Sequence, residues 1–114
     1  MEITVHNHIV QIAVVTTDSR IDAFSAPKLR ERLDALVAGG ANRFVIDLSA
    51  VPFIDSAGMA VLVSLLKKAR VADGEVVLVW PNEEAARRIL RLTKFDRVFP
   101  MADDVESALI ASTR

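Results

Sequence analysis

Short runs of strand-forming apolar residues alternate with segments whose apolar residues recur every three or four positions, and this alternation constrains the fold more than any other feature. Phe44-Val45-Ile46-Asp47-Leu48 and Glu75 to Trp80 are near-continuous apolar runs, the pattern of central strands covered on both faces. Ile3 and Val5 alternate with polar neighbours, His6-Asn7-His8 supplies a turn, and Ile9 to Val15 is rich in β-branched residues, so an N-terminal β-hairpin is expected. Val98 and Phe99, just before Pro100, are read as a short last strand. Strands separated by helices require crossover connections, which place helices against a sheet. The expected order is β-β-α-β-α-β-α-β-α: an α/β protein with a mixed four- to five-stranded sheet and about four helices, the whole of 1–114 forming one domain.

The helices carry their own punctuation. Ser25-Ala26-Pro27 signals a start, because a serine oxygen accepts a first-turn N–H and proline has none to waste there. Leu29, Leu33, Leu36 and Val37 then share one face, Lys28, Arg30, Glu31, Arg32 and Asp34 fill the other, and Gly39-Gly40 stops the helix. From Ala57 to about Arg70 the apolar residues point in almost every direction, which predicts a helix mostly buried against the sheet. Pro81-Asn82 is read as capping a third helix to Leu92, and Asp103-Asp104 a last one carrying Val105, Ala108 and Leu109.

Composition removes several classes of function. A chain of 114 residues with 52% hydrophobic residues can bury a core without staples. The absence of cysteine removes disulfide frameworks, thiolate metal sites and cysteine nucleophiles. Fourteen basic against fifteen acidic residues leave a net charge of −1, with no excess to attract nucleic acid or an anionic membrane. The greasiest segment, Met59 to Leu66, falls far short of the ~20 apolar residues a spanning helix needs, and the first residues lack the basic and apolar blocks of a secretion signal. A cytoplasmic location is the expectation, with neither membrane insertion nor nucleic-acid binding.

Candidate chemistry is sparse. His6 and His8 share an i, i+2 spacing, but no third ligand accompanies them, so no metal site is expected. Ile54-Asp55-Ser56-Ala57-Gly58 resembles the G-x-S-x-G elbow of serine hydrolases, yet its first glycine is Ile54 and no histidine follows His8 to complete a triad. No Gly-rich phosphate loop or dinucleotide fingerprint occurs. The chain is therefore read as a non-enzyme without a cofactor. What remains is Asp55-Ser56, two capping residues in tandem where one suffices, with Gly58 read as removing bulk beside Ser56. A serine there has its hydroxyl at the rim of the domain, within reach of another protein.

These residues carry a resemblance. Leu48-Ser49-Ala50-Val51-Pro52-Phe53-Ile54-Asp55-Ser56-Ala57-Gly58 is similar to the strand-loop-helix segment, with its D-S-x-G phosphorylation motif, of the STAS domain family, specifically of the stand-alone anti-sigma factor antagonists of bacteria. Arg20-Ile21-Asp22-Ala23-Phe24-Ser25-Ala26-Pro27-Lys28-Leu29 is similar to the family's loop leading into the first helix, although Ser19 stands near where many members have glycine. The resemblance spans essentially the whole chain and implies a STAS-like fold and a partner-switching regulator of transcription. The unmodified antagonist binds an anti-sigma factor that is also a serine kinase. Phosphorylation of the serine, here Ser56, breaks the complex, and a protein phosphatase restores it.

The resemblance places the partner's footprint on Asp22, Phe24 and Ser25 of the first loop and on Asp55, Ser56, Ala57, Gly58 and Met59 at the start of the second long helix. Asp55 is expected to orient the acceptor hydroxyl or to meet a basic group of the kinase. Ser25 is expected to be a helix cap more than a contact, and the free protein to be a monomer or weak dimer. A second use of the same fold, a subunit without a phosphorylation cycle docked on the ATPase of an ABC-type lipid transporter, is the alternative.

Overall fold

The computed structural model describes residues 11–113. Four strands, β1 (Ile12–Thr16), β2 (Arg43–Asp47), β3 (Glu75–Val79) and β4 (Met101–Ala102), form one sheet in the order β1-β2-β3-β4. Every pairing among them is parallel, with Val14 opposite Val45, Val45 opposite Val77, and Val79 opposite Ala102. The turn and first strand of the expected hairpin, and with them His6 and His8, lie outside the described residues.

The helices are α1 (Ala26–Ala38), α2 (Ser56–Val71), α3 (Glu84–Leu92), the single turn α4 (Phe95–Val98) and α5 (Val105–Ser112). Alternation along β2 and β3 splits the core into two layers. Phe44, Ile46, Val76 and Leu78 pack with Leu33 of α1, Leu62, Leu65 and Leu66 of α2 and Leu90 of α3. Val45, Val77 and Val79 meet Ala108 of α5. Helices thus cover both faces, which is why the two central strands read as unbroken apolar runs.

Two expectations change at the C-terminal half. Val98 and Phe99 are not a strand: Phe95–Val98 is a helical turn whose Phe95 ring stacks on Phe99 at 5.2 Å, and Phe99 is buried. The strand follows instead at Met101–Ala102, where the Leu78 N–H donates to the Pro100 carbonyl at 3.0 Å and the Trp80 N–H to the Ala102 carbonyl. The cap position of α3 is Glu83, not Asn82, whose N–H is taken by the Ser49 carbonyl. Asp104 caps α5 as expected, accepting the Ser107 N–H at 2.7 Å.

Parallel strands all end on the same side, so the segments leaving neighbouring β1 and β2 run together. These segments, 17–25 and 48–55, carry every site residue anticipated in the loops.

Candidate functional site

The two segments are joined first through the backbone. The Ile21 N–H donates to the Phe53 carbonyl at 2.9 Å, and the Asp55 N–H donates to the Ile21 carbonyl at 3.1 Å. This makes a parallel bridge between Ile21 and Ile54, both fully buried. Such a bridge brings the Ile21 backbone against the first turn of α2, and only glycine admits it there. A Cβ on Gly58 would lie 2.5 Å from the Ile21 carbonyl oxygen and 2.6 Å from Ile21 Cγ2. Gly58 is itself buried. Its missing side chain makes room for Ile21, not for access to Ser56, which corrects the expectation drawn from its spacing.

Asp55 makes the second connection. It is the N-cap of α2 in extended conformation, and its Oδ1 accepts the Gly58 N–H at 3.0 Å. Its Oδ2 accepts the Ala23 N–H, also at 3.0 Å, across 32 residues of sequence. Both carboxylate oxygens are thus engaged by backbone donors of the chain itself, and among the described residues the Ser56 hydroxyl donates no hydrogen bond to Asp55.

Asp22 organises the turn that Ala23 belongs to. Its Oδ1 accepts the N–H groups of Phe24 and Ser25, each at 3.0 Å, while its backbone carbonyl accepts the Ala26 N–H at 2.8 Å. Ser25 returns the favour: its Oγ accepts the Asp22 N–H at 3.0 Å and donates to the Arg20 carbonyl at 2.6 Å. This is a capping box with Asp in the first place and Ser in the fourth. Ser25 is therefore not the side-chain cap of α1 that its neighbour Pro27 suggested, and Asp22 has a definite structural task. The Ser25 and Phe24 N–H groups, the Ser25 hydroxyl and the nearby Arg20 guanidinium hold the Asp22 carboxyl below the usual aspartate range. Arg20 lies 4.6 Å over the Phe53 ring and 3.7 Å from Asp22 Oδ2, a tie between the two loops that no local pattern announces.

What this scaffold displays is specific. Phe24, at the tip of the capped turn, is 94% exposed. Ser56, the first residue of α2, is exposed and its hydroxyl makes no hydrogen bond to the described residues; Ala57 and Met59 are half-buried. The Ala23–Asp55 hydrogen bond links the turn that carries the exposed Phe24 ring to the helix start that carries the exposed Ser56. Among the described residues no cluster of three metal-ligating side chains occurs, and no helix is long and apolar enough to cross a membrane.

Comparison with known proteins agrees with this architecture. The anti-sigma-F factor antagonist RsfB of Mycobacterium tuberculosis is 30% identical over 98 residues, which are 86% of this chain and 79% of that protein. The crystal structure of an anti-sigma factor antagonist from Mycobacterium paratuberculosis superposes with a TM-score of 0.78 at 33% identity, over 97% of this chain and 92% of that one. The protein TM1081 of Thermotoga maritima gives a TM-score of 0.84 at 27% identity, covering 90% and 88%. The STAS domain profile matches residues 1–108, and the chain belongs to that family.

Proposed function

We propose that this protein is a cytoplasmic anti-sigma factor antagonist, a binding module without catalytic activity, whose affinity for an anti-sigma factor with serine kinase activity is set by phosphorylation of Ser56. The observation that carries the reading is the pairing of an exposed acceptor serine at the start of α2 with a 94% exposed phenylalanine on the adjoining turn. The similarity to RsfB, named an anti-sigma-F factor antagonist, supports the choice of partner class.

The energetics suit a switch. A phosphate on Ser56 adds about −1.5 to −2 charges. At the N-terminus of α2 that charge is favoured by the macrodipole, so the domain keeps its fold. Across an interface the same dianion ~6 Å from a single negative charge of the partner costs about 1 to 5 kcal/mol, depending on whether the effective dielectric is near 80 or near 20. Desolvating it costs more. A thousandfold loss of affinity needs only ~4 kcal/mol, so a single modification suffices. A protein phosphatase acting on phosphorylated Ser56 would close the cycle.

The test is titration of the purified chain with its cognate kinase. Ser56→Ala should bind as tightly as the unmodified protein and remain bound in the presence of ATP. Ser56→Glu and the phosphorylated chain should bind at least a hundredfold more weakly. Equal affinity of the phosphorylated and unmodified forms sinks the reading, and recovery of an ABC-type ATPase with its membrane subunits in place of a kinase would favour the alternative.

A further inference from the structure

Asp55 joins the two halves of the exposed surface, and it does so with the same carboxylate that caps the helix bearing Ser56. One oxygen holds the Gly58 N–H in the first turn of α2, and the other holds the Ala23 N–H next to Phe24. Ser56 is the first residue of α2 and directly follows Asp55, so an anion on its hydroxyl lies one residue from the carboxylate that caps the helix. The more highly charged phosphate is the stronger acceptor for first-turn N–H groups, and it repels the neighbouring carboxylate. We infer that Asp55 is a positioning residue that couples Ser56 to Phe24: phosphate at Ser56 loosens the Asp55 carboxylate from Ala23 and so frees the turn that presents the phenylalanine.

The remaining ties of that turn locate the consequence. The Phe24 N–H is held by Asp22 Oδ1, within the same turn, so the capping box survives as a local unit. Ile21 stays bridged to Ile54 beneath it. What is lost is the hydrogen bond that fixes the outer part of the turn, Ala23 and Phe24, against the start of α2. Modification therefore acts twice on a docked partner, by charge at Ser56 and by misplacing the aromatic contact.

This inference rests on Ser56 being the modified residue, but its test needs neither kinase nor partner. Phosphoserine is installed at position 56 by genetic encoding, and the isotopically labelled full chain is followed by amide hydrogen exchange and amide chemical shifts. Phosphorylation should speed exchange at Ala23 roughly tenfold, the scale of a lost hydrogen bond to a charged acceptor, and shift the Ala23 and Phe24 signals, while the buried amides of β2 and β3 stay unchanged.

Asp55→Asn keeps a good cap for α2 but has only one carbonyl oxygen to offer. It should reproduce the Ala23 change without phosphate, and phosphorylating it should add less than a twofold further change there. Asp55→Ser, which also caps, gives the same comparison should the amide variant fold poorly. Unaltered Ala23 exchange and shifts on phosphorylation overturn the coupling. So does an equal response to phosphate in the wild-type and Asp55-substituted chains, which would mean the effect bypasses Asp55. Either result leaves the affinity measurements for Ser56 standing on their own.

Discussion

Gly58→Ala is the substitution for which local and tertiary reasoning predict opposite signs. Helix propensity alone makes alanine better than glycine by about 1 kcal/mol in a helix interior. The structure reverses this. The new Cβ would sit 2.5 Å from a backbone carbonyl oxygen and 2.6 Å from a buried methyl of Ile21, and Ile21 cannot swing aside because its own N–H and carbonyl are bonded to Phe53 and Asp55. Overpacking of this kind costs about 1–3 kcal/mol. Displacing Ile21 also strains two hydrogen bonds worth about 1 kcal/mol each. Against the propensity gain, the net is a destabilisation of about 1–3 kcal/mol, read as a lower urea midpoint at unchanged slope. Ala60→Gly, at an exposed position of the same helix, should cost about 1 kcal/mol through propensity alone and serves as the comparison. A Gly58→Ala protein as stable as wild type, or more so, would refute the account of how the two loops are joined.

Phe24→Ala should leave the unfolding midpoint within about 0.5 kcal/mol of wild type, since the ring is in solvent, yet weaken partner binding by about 2 kcal/mol or more, roughly thirtyfold, in calorimetric titration. Lys94, at φ 60° between α3 and α4, occupies a left-handed position that favours glycine, so Lys94→Gly should raise stability by about 0.5–1 kcal/mol in urea unfolding. Asp22 and Asp104 are both held below the ordinary aspartate range, chiefly by the N–H groups of Ser25 and Ser107 respectively. Their contributions are therefore fully present above pH ~4 and are lost as the pH falls through the lowered native values. The stability gap between wild type and Asp22→Asn should accordingly narrow between pH 6 and pH 2 in parallel urea titrations, and a gap that widened on acidification would contradict the assigned hydrogen bonds.

Much of the architecture was legible because it depends on short-range pattern. The β2 and β3 runs declare themselves through coverage on both faces, and α2 through apolar residues on most of its circumference. The misread segment shows where that logic ends. Val98 and Phe99 look like strand residues, but the i, i+4 stacking of Phe95 on Phe99 favours a helical turn, and the strand that follows is two residues long, too short for any periodicity. The site divides in the same way. Ser56 and the capping Asp55 stand out because capping chemistry is local. The Asp22–Ser25 box is also readable as a four-residue pattern, and Pro27 correctly marks Ser25 as the cap position, but the Ser25 hydroxyl turns back to the Asp22 N–H and the Arg20 carbonyl instead of capping α1. The Asp55–Ala23 bond and the close approach of Ile21 to Gly58 join segments far apart in sequence, and nothing in either segment alone announces them.

Under the proposed modification of Ser56, the division between rigid and displayed parts would let the surface be switched without endangering the fold. The buried face of α2, from Val61 through Leu62, Leu65 and Leu66 to Ala69, anchors the helix with side chains whose burial is worth about 1.5–3 kcal/mol for each larger residue. Its N-terminal cap, by contrast, is worth about 1 kcal/mol. A rearrangement confined to Asp55 and the Ala23 turn thus draws on the smallest terms holding the helix, while the largest are untouched. An interface has no such reserve. If the partner's affinity is concentrated in a few contacts around Phe24 and Ser56, as is usual for protein interfaces, then a change costing the domain about 1 kcal/mol can remove several from the complex. On the proposed function, the inequality between those two quantities, more than the phosphate itself, would make a regulatory surface of a turn and a helix start.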